Sequence, residues 1–135
     1  MLSRGYRNNN PLNIRRSRDK WKGMSPKQTD PAFVQFQTMA YGYRAAFVLL
    51  RTYRQKYGYN TIRQIVKRWA PPSENNTDRY IENVSRWTGI DPDKLIAGQD
   101  ANAMMAIVAA MSRMENGVQA RMEEVAEGWR MVNQD

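Results

Sequence analysis

Residues 104–117 read MMAIVAAMSRMENG. Met104, Val108 and Met111 recur at spacings of four and three, the period of one face of an α-helix, and Glu115 is the next member of the same stripe. A carboxylate in line with a core-facing stripe is unexpected. It also stands at the negative end of the helix dipole, where an anion is disfavoured. Such a side chain is short of water, and a carboxylic acid that holds its proton is what cleavage of a glycosidic bond requires, because the leaving oxygen must be protonated. The structural alternative is that Glu115 bends into water at the end of the stripe and pairs with Arg113 or Arg121.

The rest of the chain supplies the setting. Its 135 residues are 41% hydrophobic, which suits a single domain with one core. With no cysteine and no histidine, disulfides, thiolate chemistry and a Ser-His-Asp triad are excluded, and neither a metal site nor a cofactor is expected. Acid–base work falls to Asp, Glu, Tyr or Lys. The net charge is +8, and residues 1–30 hold eight Lys/Arg against two Asp. A polyanionic partner follows: nucleic acid, an anionic membrane surface or an acidic wall polymer. The basic residues do not collect on one recognition helix and no nucleic-acid motif is present, so a nucleic-acid-binding module is the lesser alternative and nucleic acid is not the expected partner. No apolar run reaches the roughly 18 residues of a membrane span. The N-terminus MLSRGYRNNNPLNIRR lacks the apolar core of a secretory signal, so the chain is expected to be made in the cytoplasm.

Residues 1–40 read as loop and strand. Leu12 and Ile14 alternate, SRDK is a turn, and AFVQF (32–36) is a further short strand with Phe33 and Phe36, which together predict a small N-terminal antiparallel β-hairpin or sheet. From Gly42 the period becomes helical. One helix runs to Gly58, TIRQIVKRW ends at Pro71 and Pro72, NTDRYIENVSRWTG closes at Gly89, DPDKLIAG is one short helical turn, Asp100 caps the helix that ends in Glu115, and VQARMEEVAEGWRMV is a helix or docked tail. The expected fold class is mainly α (α+β), one domain of a loop/β-hairpin part (1–40) and a helical part (41–135).

Three further groups are candidates for function. Glu74 lies in the loop APPSENN, stiffened by two prolines; its structural alternative is that it favours the positive start of the next helix. Asn8, Asn9, Asn10 and Asn13 offer amides suited to sugar hydroxyls and N-acetyl groups, or else turn chemistry. Trp21, in the basic DKWKG segment, is the tryptophan most suited to stack on a ligand, the others being more suited to a core.

These segments also carry a resemblance. RGYRNNNPLNIRRSRDKWKGM, FVQF, YGYRAAF and RWAPPSENNTDRYIENV together resemble small proteins of phages and prophages, notably of Bacteroidetes, that are labelled structural or virion proteins and "P5-like". More distantly, NNNPLNIRRSRDKWKG is similar to the Asn-Asn-x-x-Gly-Ile-Lys hairpin and Trp-x-Gly of cell-wall glucosaminidases in the lysozyme-like superfamily. Thr77, Tyr80, Ile81 and Val84 are similar to a segment of soluble lytic transglycosylases, which Glu74 fits with a two-residue insertion. In those enzymes the catalytic glutamate ends a helix before the hairpin; here the helix that ends in Glu115 follows it, so the resemblance implies a circularly permuted lysozyme-like domain. It further implies a peptidoglycan glycosidase, lysozyme or lytic transglycosylase, acting on the MurNAc-GlcNAc β-1,4 bond. Glu115 would be the acid with Glu74 nearby, and Tyr80 would hydrogen-bond near the acid. Asn9, Asn10, Asn13 and Trp21 would hold the sugar. The implied partners are peptidoglycan strands, with other virion or holin components, reached by phage lysis, secretion or the virion itself. The alternative is a non-enzymatic virion structural protein of the same fold.

Overall fold

The helix that contains the opening stretch is the central element of the protein. The computed structural model describes residues 2–134, and among them the chain forms six helices: α1 Arg4–Arg7, α2 Met39–Tyr57, α3 Ile62–Trp69, α4 Thr77–Thr88, α5 Ala101–Asn116 and α6 Met122–Val132. Local chemistry sets most of the ends. Thr38, Thr61, Asn76 and Asp100 each accept a backbone N–H of the first turn through their side chains, so α2 to α5 begin at N-caps. The N-terminus of α6 has no side-chain cap; Glu123 and Glu124 place negative charge in its first turn instead.

Helix α5 is buried on one side through Met104, Ile107, Val108 and Met111 and packs between α4 and α6. Helix α6 lies along α2, where Trp129 meets Phe47 edge to face at 5.1 Å. Tyr43 of α2 is fully buried and its hydroxyl shares a 3.0 Å hydrogen bond with Ser112 of α5. Helix α3 seats Ile62, Ile65 and Val66 against the same core and packs on α4. No helix of the described residues is long and apolar enough to cross a membrane.

The expected N-terminal antiparallel hairpin is absent, and the fold is mainly α without a sheet among the described residues. Residues 8–37 carry only two isolated antiparallel bridges, Arg15 to Phe33 and Met24 to Phe36. The apolar alternation in this segment is genuine: Leu12, Ile14, Val34 and Phe36 are all buried. What prevents a ladder is the asparagines. Asn9 and Asn13 adopt left-handed backbone, with φ of 52° and 54°, which interrupts extension. Asn10, 0% exposed, takes the place of a neighbouring strand. Its carbonyl oxygen accepts the Ile14 N–H at 2.9 Å, and its amide donates to the Ile14 and Val34 carbonyls at 3.0 and 2.8 Å. Side chains thus satisfy backbone groups that a ladder would have paired. A second correction concerns DPDKLIAG, which is a turn rather than a helical turn. The Lys94 N–H donates to the Asp91 carbonyl at 3.1 Å, and Ile96 enters the core.

The asparagine segment sits directly on α2. A Cβ at Gly42 would lie 2.2 Å from the Asn9 carbonyl oxygen and 2.5 Å from Pro11 Cδ, a contact only glycine permits. Gly42→Ala is therefore expected to lower the unfolding free energy by about 1–3 kcal/mol through overpacking, read as a lower midpoint in urea. An unchanged midpoint would mean that the N-terminal segment does not rest on α2.

Candidate active site

Glu115 is half-buried in the last turn of α5, and both of its carboxylate oxygens are held. Tyr80 Oη of α4 donates to Oε2 at 3.1 Å. Asn13 Nδ2 of the N-terminal segment donates to Oε1 at 3.1 Å. The left-handed backbone of Asn13 turns its side chain toward α5. The arginines that would neutralise Glu115 are engaged elsewhere: Arg113 lies 4.0 Å over the Trp87 ring and Arg121 pairs with Glu123 at 3.1 Å. Among the described residues the carboxylate has polar neighbours and no ion pair.

The next residue ties α5 to the N-terminal segment. Asn116 Nδ2 donates to the Pro11 carbonyl at 2.8 Å, and its Oδ1 accepts from Ser3 Oγ at 2.6 Å. Helix α1 crosses so closely that a Cβ at Gly5 would lie 2.5 Å from Asn116 Oδ1. The residues next to this clasp in sequence, Leu12, Asn13 and Glu115, line a cleft of about 680 Å³, within the range of small-ligand sites. Glu115 and Asn13 share the cleft with Glu74, whose loop is turned by its N–H donating to the Pro71 carbonyl at 3.0 Å. Two carboxylates thus line one opening, one half-buried and one exposed. Among the described residues no group of three His, Cys, Asp or Glu could hold a metal ion.

Tyr80 is buried behind Glu115 rather than in the cleft wall. Burial pushes its phenol well above the ordinary value, and the adjacent Glu115 charge adds to this, while a side-chain hydrogen bond with Trp69 opposes it. Tyr80 therefore keeps its proton and remains a donor to the carboxylate. Trp69 supports that donor from behind, since its indole N–H can only donate.

Of the residues singled out in the sequence, Glu115, Glu74, Asn13 and Tyr80 come together here. The others do not. Asn9 Nδ2 donates to the Phe36 and Gln37 carbonyls at 3.1 and 3.3 Å, Asn10 is internal as described, and neither residue lines the cleft. Trp21 lies in a separate groove formed with Arg44 and Arg51 of α2. Conversely, the cleft includes Arg15, Phe33, Tyr53 and Trp69, none of which sequence reasoning assigned to a site. The available signal was the position of Trp69, immediately before the Ala-Pro-Pro loop that carries Glu74.

No family model matches this chain. It is 42% identical over 118 residues to Protein P5 of Pseudoalteromonas phage PM2, an alignment that spans 85% of this chain and 72% of that protein.

The tyrosines yield a pH dependence. Tyr43, Tyr53 and Tyr80 are all raised above the ordinary value of 10.0, burial being the first cause in each. A group that holds its proton more tightly when folded contributes stability that is complete below its unfolded value and is lost as pH rises from there through the folded value. The urea midpoint should therefore hold steady up to about pH 9 and fall steeply above about pH 10. Tyr80→Phe should make that fall shallower. Urea melts across this range, with tyrosinate absorbance followed in parallel, provide the check; a flat profile would contradict the burial of all three phenols.

Proposed function

The chain belongs to the family of phage protein P5, and on that premise we propose that it is a lysozyme-like peptidoglycan glycosidase that cleaves the MurNAc-GlcNAc β-1,4 bond. The observation that carries this reading is the setting of Glu115: a half-buried carboxyl at a cleft, gripped on both oxygens by Tyr80 and Asn13 and left without a cation. The grip fixes the direction in which the acid faces, and the cleft, at about 680 Å³, has the volume for a sugar. Support also comes from the distant resemblance of the Asn13 and Tyr80 segments to lysozyme-like wall hydrolases.

In this mechanism Glu115 protonates the glycosidic oxygen as the bond to the anomeric carbon breaks. It then takes a proton back, either from water or from the muramic 6-hydroxyl, the second route giving a lytic transglycosylase. Tyr80 and Asn13 hold the carboxyl in place through both steps. Glu74, on the same cleft, stabilises developing positive charge on the sugar ring or activates the incoming water. The basic surface draws the enzyme to anionic wall polymers, and the wall is reached through lysis, secretion or the virion.

A second reading has one observation in its favour. The clasp of Ser3, Pro11 and Asn13 with Glu115 and Asn116 joins distant parts of the chain, as a purely structural cluster in a virion protein would. The two readings diverge on one substitution. Glu115→Gln keeps the shape but delivers no proton, and its amide nitrogen cannot accept the hydrogen bond that one carboxylate oxygen takes from Tyr80 or Asn13. Under the glycosidase reading, clearing of a wall suspension falls by about a hundred- to ten-thousand-fold while the variant remains folded. Glu74→Gln lowers the rate moderately. Unchanged clearing together with a lowered melting temperature would remove Glu115 from catalysis and leave the virion reading.

A further inference from the structure

Two guanidinium groups lie over the ring of Phe33. Arg4 Cζ is 4.6 Å from the ring centroid and Arg15 Cζ is 5.3 Å from it. Their charges are treated differently. Arg4 forms a two-pronged pair with Asp30, Nε to Oδ2 at 2.8 Å and Nη2 to Oδ1 at 2.7 Å, so its fork is filled. Arg15 has no acidic partner within ion-pair distance among the described residues. Only Arg15 lines the cleft, together with Phe33, Glu74 and Glu115.

A guanidinium resting on an aromatic face keeps its charge and loses freedom, so its fork of donors is oriented before any ligand arrives. The partner such a fork matches best is a carboxylate, bound by two parallel hydrogen bonds. The cleft's own carboxylates do not take that position, although both lie on the same opening. A neutral amino-sugar chain offers hydroxyls and acetamides but nothing that complements a charged fork. A chain with acidic substituents does.

We propose that Arg15 is the specificity-determining residue of the cleft, receiving a carboxylate carried by the glycan, so that the site selects an acid-substituted amino-sugar polymer over a neutral, chitin-like one. This rests on the glycosidase reading and adds to it the feature by which the substrate is chosen. Arg15 acts in recognition and takes no part in the proton transfers.

The test uses the full chain with Glu115→Gln, so that ligands are bound and not consumed. Two tetrasaccharides are titrated calorimetrically: chitotetraose, and an alternating GlcNAc-MurNAc chain with free lactyl carboxylates. The acidic chain is expected to bind about tenfold more tightly, with the difference narrowing as salt is added. Adding Arg15→Gln should abolish the difference while leaving chitotetraose affinity unchanged, and Arg15→Lys should restore part of it by returning the charge without the fork. A preference that survives Arg15→Gln, or equal affinity of the parent for both ligands, overturns the assignment of Arg15 and leaves the cleft a glycan site. Binding of neither tetrasaccharide overturns the glycan reading and the role of Arg15 together. Melting temperatures of the variants, expected to match the parent because Arg15 is exposed, separate loss of recognition from loss of fold.

Discussion

Attachment of the N-terminal segment to the last turn of α5 is the constraint on which the cleft depends. Without it, Glu115 would keep only Tyr80, and Asn13 and Arg15 would not be held beside the acid, although Leu12, Ile14, Val34 and Phe36 would still seat the segment on the core. The attachment is polar and made almost wholly by amides. Asn116 bridges Ser3 and Pro11, and Asn13 reaches Glu115. Amides suit the task because each offers a donor and an acceptor at once, so one side chain joins two segments and adds no charge beside the acid. Gly117, with φ of 75°, caps the C-terminus of the helix one residue later, its N–H donating to the Arg113 carbonyl at 2.8 Å.

Asparagine has two distinct roles within six residues of sequence. Asn10 is turned inward and replaces the hydrogen bonds of a missing strand, whereas Asn13 is turned outward to the carboxylate. Composition does not separate these roles, since both rest on the same amide and the same tolerance of turns. The backbone separates them. Asn13 takes positive φ and its amide reaches Glu115, whereas Asn10 does not and its amide stays with the Ile14 and Val34 carbonyls.

Much of the helical part was legible in the sequence, because caps, glycines and prolines punctuate it and the apolar period is continuous. Thr61, Asp100, Gly58, Gly89 and Gly117 all stand where a reader of local chemistry would place helix ends. The N-terminal part was legible in its burial but not in its hydrogen bonding. Alternation of Leu12 with Ile14 marks inward positions correctly, whereas of the two phenylalanines read in AFVQF only Phe36 is buried; alternation says nothing of what satisfies the backbone between such residues, and here side chains do. In the cleft, carboxylates and amides stood out by type. Arg15, Phe33, Tyr53 and Trp69 did not, because a basic surface residue and a half-buried aromatic look alike wherever they lie, and only the tertiary fold brings them to one opening.

The clasp also bears on when the cleft exists. Asn13 and Glu115 are 102 residues apart, so the contact between them forms only after α5 has been made. At a synthesis rate of about 5–20 residues per second, the N-terminal segment waits on the order of 5–20 s for α5. Contacts of such separation are also among the slower ones to form, since loop-closure entropy is lost before the contact is gained. A chain that stops short of α5 has the basic segment, the asparagines and Glu74 but lacks Glu115.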